Sequence, residues 1–185
     1  MSHDILFALW FLLPAAAANV TPIISAHLPL LKQWNTPIDG GHTFHGKELF
    51  GTHKTWRGLI SGMFVATIVL WLQQVLFQEY SWAQTLTGSV NYSSLPILIL
   101  GPLFGFGALA GDAIESFFKR QRGVPSGKKW VPFDQLDYVV GGVLVSLPFV
   151  ILSLRQYLII FVLWVGIHFA ASYIGYLVGL KEDPV

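Results

Sequence analysis

Long apolar runs dominate the pattern of hydrophobic and polar positions along this chain. A membrane-spanning α-helix needs about 20 mostly apolar residues to cross the roughly 30 Å hydrocarbon core of a bilayer. Five runs approach or reach that length, with predicted bounds at 5–26, 59–78, 95–117, 137–154 and 157–179. The fourth run is the shortest, and charged residues interrupt the third run near its end. The pattern therefore predicts an all-α integral membrane protein with five transmembrane helices.

Composition supports the membrane prediction and limits the chemistry. Of the 185 residues, 54% are hydrophobic and only 11% are charged, whereas soluble domains carry about 25% charged residues. The five runs use most of the chain, so 1–185 is predicted to be a single domain within the membrane. The first run is predicted to be retained rather than cleaved as a signal peptide. The residues before it include Asp4 but no Lys or Arg, whereas a signal peptide begins with basic residues. Cysteine is absent, which excludes disulfides and thiolate metal sites.

Basic residues lie almost entirely on one predicted side of the membrane. Ten of the eleven lysines and arginines fall there: Lys32, Lys47, Lys54 and Arg57 in the first loop, Lys119, Arg120, Arg122, Lys128 and Lys129 in the third loop, and Lys181 in the tail. Only Arg155 falls on the other side. Because basic loops stay in the cytoplasm, the N-terminus is predicted outside. The C-terminus and the two polar loops are predicted inside, so any chemistry is expected at that face.

Polar residues share one face of the third helix if that helix continues through Lys119. They are Asp112, Glu115, Ser116 and Lys119. A stripe of small residues, Gly101, Gly105 and Ala108, leads to Asp112, and either another helix or a lipid could lie along it. Asp112 is predicted to lie about 10 Å deeper in the membrane than Lys119. A carboxylate at that depth is energetically costly if it faces lipid. Asp112 is therefore predicted to face the bundle and to have a cationic partner.

A second acidic pair, Asp134 and Asp137, lies where the fourth helix is predicted to begin. Either residue alone could be a helix cap or a partner of the helix dipole. The third and fourth helices are nevertheless joined by a short loop. Asp112 is therefore predicted to lie at the same membrane depth as Asp134 and Asp137. Three carboxylates without cysteine favour a hard cation such as Mg²⁺. The role of Glu115, as a ligand or as a neighbour of the ligands, stays open.

Cationic and hydroxyl groups around this acidic cluster indicate a phosphate ligand. Lys119 and Arg120 could bind anionic headgroups or neutralise charge in phosphoryl transfer. Lys54, Thr55 and Arg57, with the backbone N–H groups that begin the second helix, would form a phosphate-binding corner.

Two further polar features of the first helix and first loop leave alternatives open. Asn19 could bond a substrate or satisfy a kinked backbone. In the first loop, His42, His45 and His53 with Asp39 match no recognised zinc spacing, so a solvated loop is the favoured interpretation.

These motifs resemble a known family. The stretch "GDAIESFFKRQRGVPSGKKWVPFDQLDYVVGG" is similar to the signature of CDP-archaeol synthases and, more distantly, of phosphatidate cytidylyltransferases. The signature positions are Gly111, Asp112, Ser116, Lys119, Arg120, Asp134 and Asp137. "GTHKTWRG" and "AANVTP" resemble further motifs of the archaeol branch. The loop "VPSGKKWVPF" departs from the phosphatidate enzymes, which carry Lys-Asp and His-Gly-Gly in this region.

The resemblance implies transfer of CMP from CTP to a lipid phosphate, with Mg²⁺ as cofactor. Under it, Asp112, Asp134 and Asp137 bind metal and position phosphates, and Lys119 joins them in catalysis. The implied substrate-binding residues are Asn19, Lys54, Thr55, Arg57, Ser116 and Arg120. The expected partners are CTP, a lipid phosphate and the membrane, with no nucleic acid, and a homo-oligomer is left open. A lipid or anion transporter and a non-catalytic scaffold that binds acidic lipids are the alternatives.

Overall fold

Within the part of the chain that the structure describes, the fold consists of six α-helices and one very short β-hairpin. A computed structural model describes residues 2–88, 90–125, 128 and 130–178. The helices are α1 (Ser2–His27), α2 (Trp56–Glu79), α3 (Ser81–Thr87), α4 (Ile97–Gln121), α5 (Phe133–Ser146) and α6 (Leu154–Leu177). A 3₁₀ turn covers Tyr92–Ser94, and the hairpin pairs β1 (Thr43–Phe44) with β2 (Lys47–Glu48). The predicted all-α class is confirmed.

Helix length supports four of the five predicted spans. Within the described residues, α1, α2, α4 and α6 are long and apolar enough to cross a membrane. The predicted bounds of the fourth span, 137–154, are wrong, because α5 covers Phe133–Ser146 instead. Pro148 has no N–H with which to continue the helix. The 14 residues of α5 extend about 21 Å, so helix length does not establish a fifth span.

Helix α4 packs against α1, α2 and α5. The rings of Phe11 on α1 and Phe104 on α4 meet edge to face with centroids 5.9 Å apart, and both residues are buried. Because α4 also carries Asp112, this packing determines which helices surround the predicted site.

The small-residue stripe of α4 is covered by another helix. A Cβ built on Gly101 would lie 2.7 Å from the Cα of Thr67, and one on Gly105 would lie 2.4 Å from the Cα of Met63. Both distances are too short for any side chain. The stripe therefore lets the backbone of α2 approach α4 closely, and of the two predicted alternatives the helix is present.

A second set of glycines, which the stripe did not include, joins α4 to α5. A Cβ on Gly141 would lie 1.9 Å from the carbonyl oxygen of Gly107, and a Cβ on Gly111 would lie 2.3 Å from that of Asp137. The two backbones are therefore in direct contact beside the acidic residues of both helices.

Local contacts order the first loop where it meets the helices. Thr55 caps α2, since its Oγ1 accepts a hydrogen bond from the N–H of Gly58 at 3.2 Å. The hairpin docks on the C-terminal end of α4, where Lys47 Nζ donates to the carbonyl oxygen of Gln121 at 2.5 Å. Phe44 packs on Phe117 with centroids 5.8 Å apart. These contacts hold the loop over the end of α4 that carries the predicted site.

Candidate active site

All ten predicted site residues line one cavity of about 740 Å³. They are Asn19, Lys54, Thr55, Arg57, Asp112, Ser116, Lys119, Arg120, Asp134 and Asp137. The cavity lies where α1 and α4 end and where α2 and α5 begin. Its volume falls within the range of about 300–1,000 Å³ that is typical of small-molecule sites. Residues separated by up to 118 positions in the chain thus meet in one pocket.

Three carboxylates form the centre of this cavity. Asp112, Glu115 and Asp137 each offer an oxygen, and these oxygens lie within 4.8 Å of one another. Glu115 is only 8% exposed, and its Oε1 has no hydrogen-bond partner among the described residues. An unsatisfied buried carboxylate oxygen is costly, and a set of oxygen donors suits a hard cation. The residues therefore fit a divalent metal of the magnesium or calcium type.

Asp134 has a different set of contacts from those three carboxylates. Its Oδ1 accepts a hydrogen bond from Lys119 Nζ at 2.7 Å, and its Oδ2 accepts one from the backbone N–H of Trp130 at 2.6 Å. Lys119 Nζ also lies 3.6 Å from Glu115 Oε1. Asp134 thus links the loop before α5 to the ammonium group of Lys119, at the edge of the three-carboxylate group.

The first loop reaches the acidic cluster through one ion pair. Lys54 Nζ lies 2.6 Å from both carboxylate oxygens of Asp112, so Asp112 has the cationic partner that its depth required. A carboxylate has about four lone-pair sites. Asp112 can therefore bind Lys54 and still contribute to a cation site.

Two buried guanidinium groups line the cavity, and each is only partly satisfied. Arg57 Nη1 donates to Asn35 Oδ1 and to the carbonyl oxygen of Lys32 at 3.3 Å. Arg120 Nη1 donates to the carbonyl oxygen of Val124 at 2.7 Å. Both arginines are 7% exposed, and the Nε of each has no partner among the described residues. Such N–H groups are suited to bind phosphate oxygens.

Hydroxyl groups add donors to the same surface. Thr55 Oγ1 accepts from Gly58 in its capping role and keeps its O–H for donation. Ser116 is 5% exposed and lies one residue after Glu115. Asn19 lines the cavity from α1, near its C-terminal end.

The histidines of the first loop do not form a metal group in the part of the chain that the structure describes. The ring Nδ1 of His42 bonds the carbonyl oxygen of Asp39 at 2.7 Å. His45 packs edge-on against Phe44 with centroids 4.2 Å apart. His53 instead lines the cavity. These contacts favour the interpretation of the segment as an interfacial loop.

Several polar residues of the cavity were not assigned a substrate or metal role from the sequence, among them Lys128, His53 and His168. Glu115 was left open, although its i+3 spacing from Asp112 signalled a shared face. Lys128 belongs to the predicted basic loop, but nothing in its spacing separates it from Arg122. His168 lies on α6, and its ring is 6.2 Å from that of Tyr138, a contact that sequence spacing does not reveal.

Comparisons with known proteins agree over the full chain. Residues 1–185 match a family model described as "CarS-like: CDP-archaeol synthase". The CDP-archaeol synthase of Thermococcus onnurineus (strain NA1) is 35% identical over 183 residues, covering 98% of this chain and 97% of that protein. That of Pyrococcus furiosus is 32% identical, covering 98% and 99%. A solved structure of an intramembrane enzyme for archaeal membrane lipids biosynthesis aligns with a TM-score of 0.70 and 27% identity, covering 89% of this chain and 91% of that one.

Proposed function

The chain belongs to the CarS-like family of CDP-archaeol synthases, and we propose that its cavity binds CTP, Mg²⁺ and a lipid phosphate together. Membership of this family makes the protein an integral membrane enzyme of the cytidylyltransferase class. An oxygen of the lipid phosphate attacks the α-phosphorus of CTP. The bond from that phosphorus to the oxygen bridging to the β-phosphate breaks, and pyrophosphate leaves with the electron pair. The product is a CDP-activated lipid.

One observation carries the proposal for the metal and nucleotide: three carboxylate oxygens within 4.8 Å of one another share a cavity with two buried arginines. Asp112, Glu115 and Asp137 would hold Mg²⁺. A cation there would offset the charge of the phosphates and of the leaving pyrophosphate. The oxygen-only donor set favours Mg²⁺, which commonly keeps substrate phosphates in its coordination shell.

The cationic side chains of the cavity would bind the triphosphate. We assign Lys54, Arg57, Lys119 and Arg120 to its oxygens, and Thr55 and Ser116 to hydrogen bonds with the same groups. The predicted assignment of Asp134 to the metal is revised in this proposal. Its ion pair with Lys119 at 2.7 Å suits it to positioning that ammonium group. Asn19 would lie beside the lipid phosphate.

Catalysis would rest on positioning and electrostatics rather than on a general base. The second pKa of a phosphate monoester is about 6, so the attacking group is already ionised near neutral pH. Holding two phosphates in line can supply several kcal/mol of the barrier. Fixed cations near the leaving group would stabilise charge that develops in the transition state. No side chain of this cavity then has to accept a proton.

We also propose that the chain crosses the membrane five times, with its N-terminus outside and 1–185 acting as one catalytic unit. Arg155 at the start of α6 lies 2.8 Å from Asp4 at the start of α1, whereas Asp134 at the start of α5 lines the cavity. The segment from α5 to α6 thus runs from one end of the bundle to the other. The basic loops lie at the cavity end, which supports a cytoplasmic active site.

The transporter alternative has no support from the comparisons. The enzyme and the non-catalytic scaffold can be distinguished by whether the protein binds nucleotide. A scaffold has no need of two buried arginines that line a 740 Å³ cavity. A titration of the purified protein with CTP in the presence and absence of Mg²⁺ distinguishes the two, because only the enzyme should bind CTP in a metal-dependent manner.

The test is a pyrophosphate-release assay on the purified protein in detergent or nanodiscs. CTP, MgCl₂ and either archaetidic or phosphatidic acid are supplied, and omission of each component provides the control. We expect pyrophosphate and a CDP-lipid in equal amounts, and ATP in place of CTP should give little product. No pyrophosphate with any lipid phosphate would overturn the proposal.

A further inference from the structure

The ammonium group of Lys54 lies on one of the carboxylates to which the metal is assigned. Its Nζ is 2.6 Å from both Oδ1 and Oδ2 of Asp112, so it sits in the fork between the two oxygens. Whichever of these oxygens belongs to the three-carboxylate group with Glu115 and Asp137 is therefore bonded to Lys54. Carboxylates bind divalent cations through one or both oxygens. Lys54 thus takes the position on Asp112 that a cation bound through both oxygens would take.

A divalent cation and Lys54 would repel each other if both stayed on Asp112. Lone pairs on the outer sides of the two oxygens remain available, but a cation bound there would lie close to the ammonium group. Repulsion between two cations grows as their distance falls and as water is excluded. The side chains of Lys54 and Asp112 are only 23% and 24% exposed, so solvent screens this repulsion in part. Binding of a metal and the ion pair therefore oppose each other.

Lys119, which also forms ion pairs in this cavity, does not compete in the same way. Its Nζ lies 2.7 Å from Asp134, which is outside the three-carboxylate group. Its distance to Glu115 Oε1 is 3.6 Å, which is longer than a hydrogen bond. The side chain of Lys119 is 8% exposed, whereas that of Lys54 is 23% exposed. Lys54 is therefore the better suited of the two to leave its carboxylate.

Local structure lets the side chain of Lys54 move while its backbone stays in place. The carbonyl oxygen of Lys54 accepts a hydrogen bond from the N–H of Ile38 at 2.8 Å, and the next residue, Thr55, caps α2. Beyond this fixed backbone, the ammonium group is carried on a flexible four-carbon stem. Lys54 lines the cavity to which the triphosphate is assigned. Rotation about side-chain bonds would carry the ammonium group from Asp112 to a phosphate oxygen.

From these contacts we propose that Lys54 is a built-in counter-ion of the cation site, which binds Asp112 while nucleotide is absent and moves to a phosphate oxygen when CTP binds. The inference rests on the proposed function, because that function places a triphosphate beside Lys54. The phosphate oxygens that draw Lys54 away from Asp112 thereby strengthen binding of the divalent cation, and by linkage the cation strengthens binding of CTP. Without nucleotide the site would bind a divalent cation weakly.

Lys54→Met tests this role by Mn²⁺ titration in the absence of nucleotide, followed by electron paramagnetic resonance. Methionine keeps an unbranched side chain and removes the charge that lies on Asp112. We expect Lys54→Met to bind nucleotide-free Mn²⁺ about 5–150-fold more tightly than the wild type, which is the range typical of coupling between two ligands. In the presence of Mg²⁺, the same variant should bind CTP more weakly, because a charged contact to phosphate is lost.

Three further variants separate the counter-ion role from general effects of charge and folding. Lys32→Met removes a positive charge from an exposed position of the same loop that does not line the cavity, so it should bind Mn²⁺ like the wild type. Lys54→Arg keeps the charge beside Asp112 and should also bind nucleotide-free Mn²⁺ like the wild type. Lys54→Gln removes the charge but keeps a polar side chain, and it replaces Lys54→Met if thermal unfolding shows that the latter does not fold.

The opposite changes expected for Mn²⁺ and CTP distinguish a counter-ion from a residue that only binds phosphate or only supports the fold. Unchanged or weaker binding of nucleotide-free Mn²⁺ by the folded Lys54→Met protein would overturn the inference, even in an active enzyme. Equal tightening in Lys32→Met would also overturn it. Tighter Mn²⁺ binding by Lys54→Met in a protein that releases no pyrophosphate would instead overturn the proposed function.

Discussion

Replacing Gly111 by alanine perturbs the contact between α4 and α5 at the point where Asp137 enters the active site. The added Cβ would lie 2.3 Å from the carbonyl oxygen of Asp137, about 1.1 Å short of an ordinary 3.4 Å contact. The obstacle is backbone on both sides, so rotamer changes cannot relieve it. Asp137 must therefore move by about an ångström relative to Asp112 and Glu115.

A displacement of that size is large on the scale of catalytic geometry. A misplacement of about 1 Å can lower the rate by roughly 100-fold, which corresponds to about 2.7 kcal/mol of transition-state stabilisation. We expect Gly111→Ala to reduce kcat by about that factor, with a smaller change in the KM for CTP. The assay is steady-state pyrophosphate release with saturating CTP, Mg²⁺ and lipid phosphate.

Gly166→Ala provides the matched control for this substitution. Gly166 lies on α6, and a Cβ built on it would meet nothing within 4 Å. The activity of the Gly166→Ala protein should therefore equal that of the wild type. Thermal unfolding in detergent identifies any variant that has lost its fold. A folded Gly111→Ala protein with activity within about threefold of wild type would refute the reasoning from backbone contact to catalytic geometry.

Two further predictions concern charged groups of the cavity. Glu115→Gln keeps the shape of a side chain whose Oε1 accepts no hydrogen bond from the described residues, so activity should require at least about tenfold more Mg²⁺ while the unfolding temperature changes little; an unchanged Mg²⁺ titration would contradict its role as a ligand. Arg120→Met should raise the KM for CTP by about 10-fold or more, since a hydrogen bond from a charged group contributes roughly 1.5–3 kcal/mol. Arg155→Met removes the same charge from the opposite end of the bundle, where the side chain is 66% exposed, and should leave that KM unchanged; equal effects of the two variants would contradict the assignment.

The sequence predicted the four long helices of this fold well because long apolar runs have few alternatives in a bilayer, but it gave no sign of the short α3. It was less informative about α5, where the apolar run continues to 154 but the helix ends at Ser146. Hydropathy does not register the break, because Leu147 and Phe149 are as apolar as the helix before them. Pro148, which has no backbone N–H, lies two residues after the end, but Pro14, Pro22 and Pro102 lie inside helices, so a proline alone does not predict it.

The candidate site was predictable in its members and less so in its internal contacts. Helical spacing placed Asp112 and Glu115 on one face, and all ten assigned residues line the cavity. Lys54 and Asp112 are 58 positions apart in the chain, so local sequence spacing could not predict their ion pair. Likewise, the rotation of α5 about its axis depends on the loop after α4 and on the contact at Gly111. That rotation decides that Asp137 joins Asp112 and Glu115 while Asp134 meets Lys119.

The central claim is that Asp112, Glu115 and Asp137 form a divalent-cation site that operates with CTP. Mn²⁺ provides a direct probe, because the electron paramagnetic resonance signal of the free ion decreases as it binds. In the presence of CTP, the wild type should take up more Mn²⁺ than nucleotide alone accounts for, and Mg²⁺ should displace it. Asp137→Asn should abolish this additional uptake while the protein stays folded. Equal Mn²⁺ binding by the wild type and the folded Asp137→Asn variant would contradict the account.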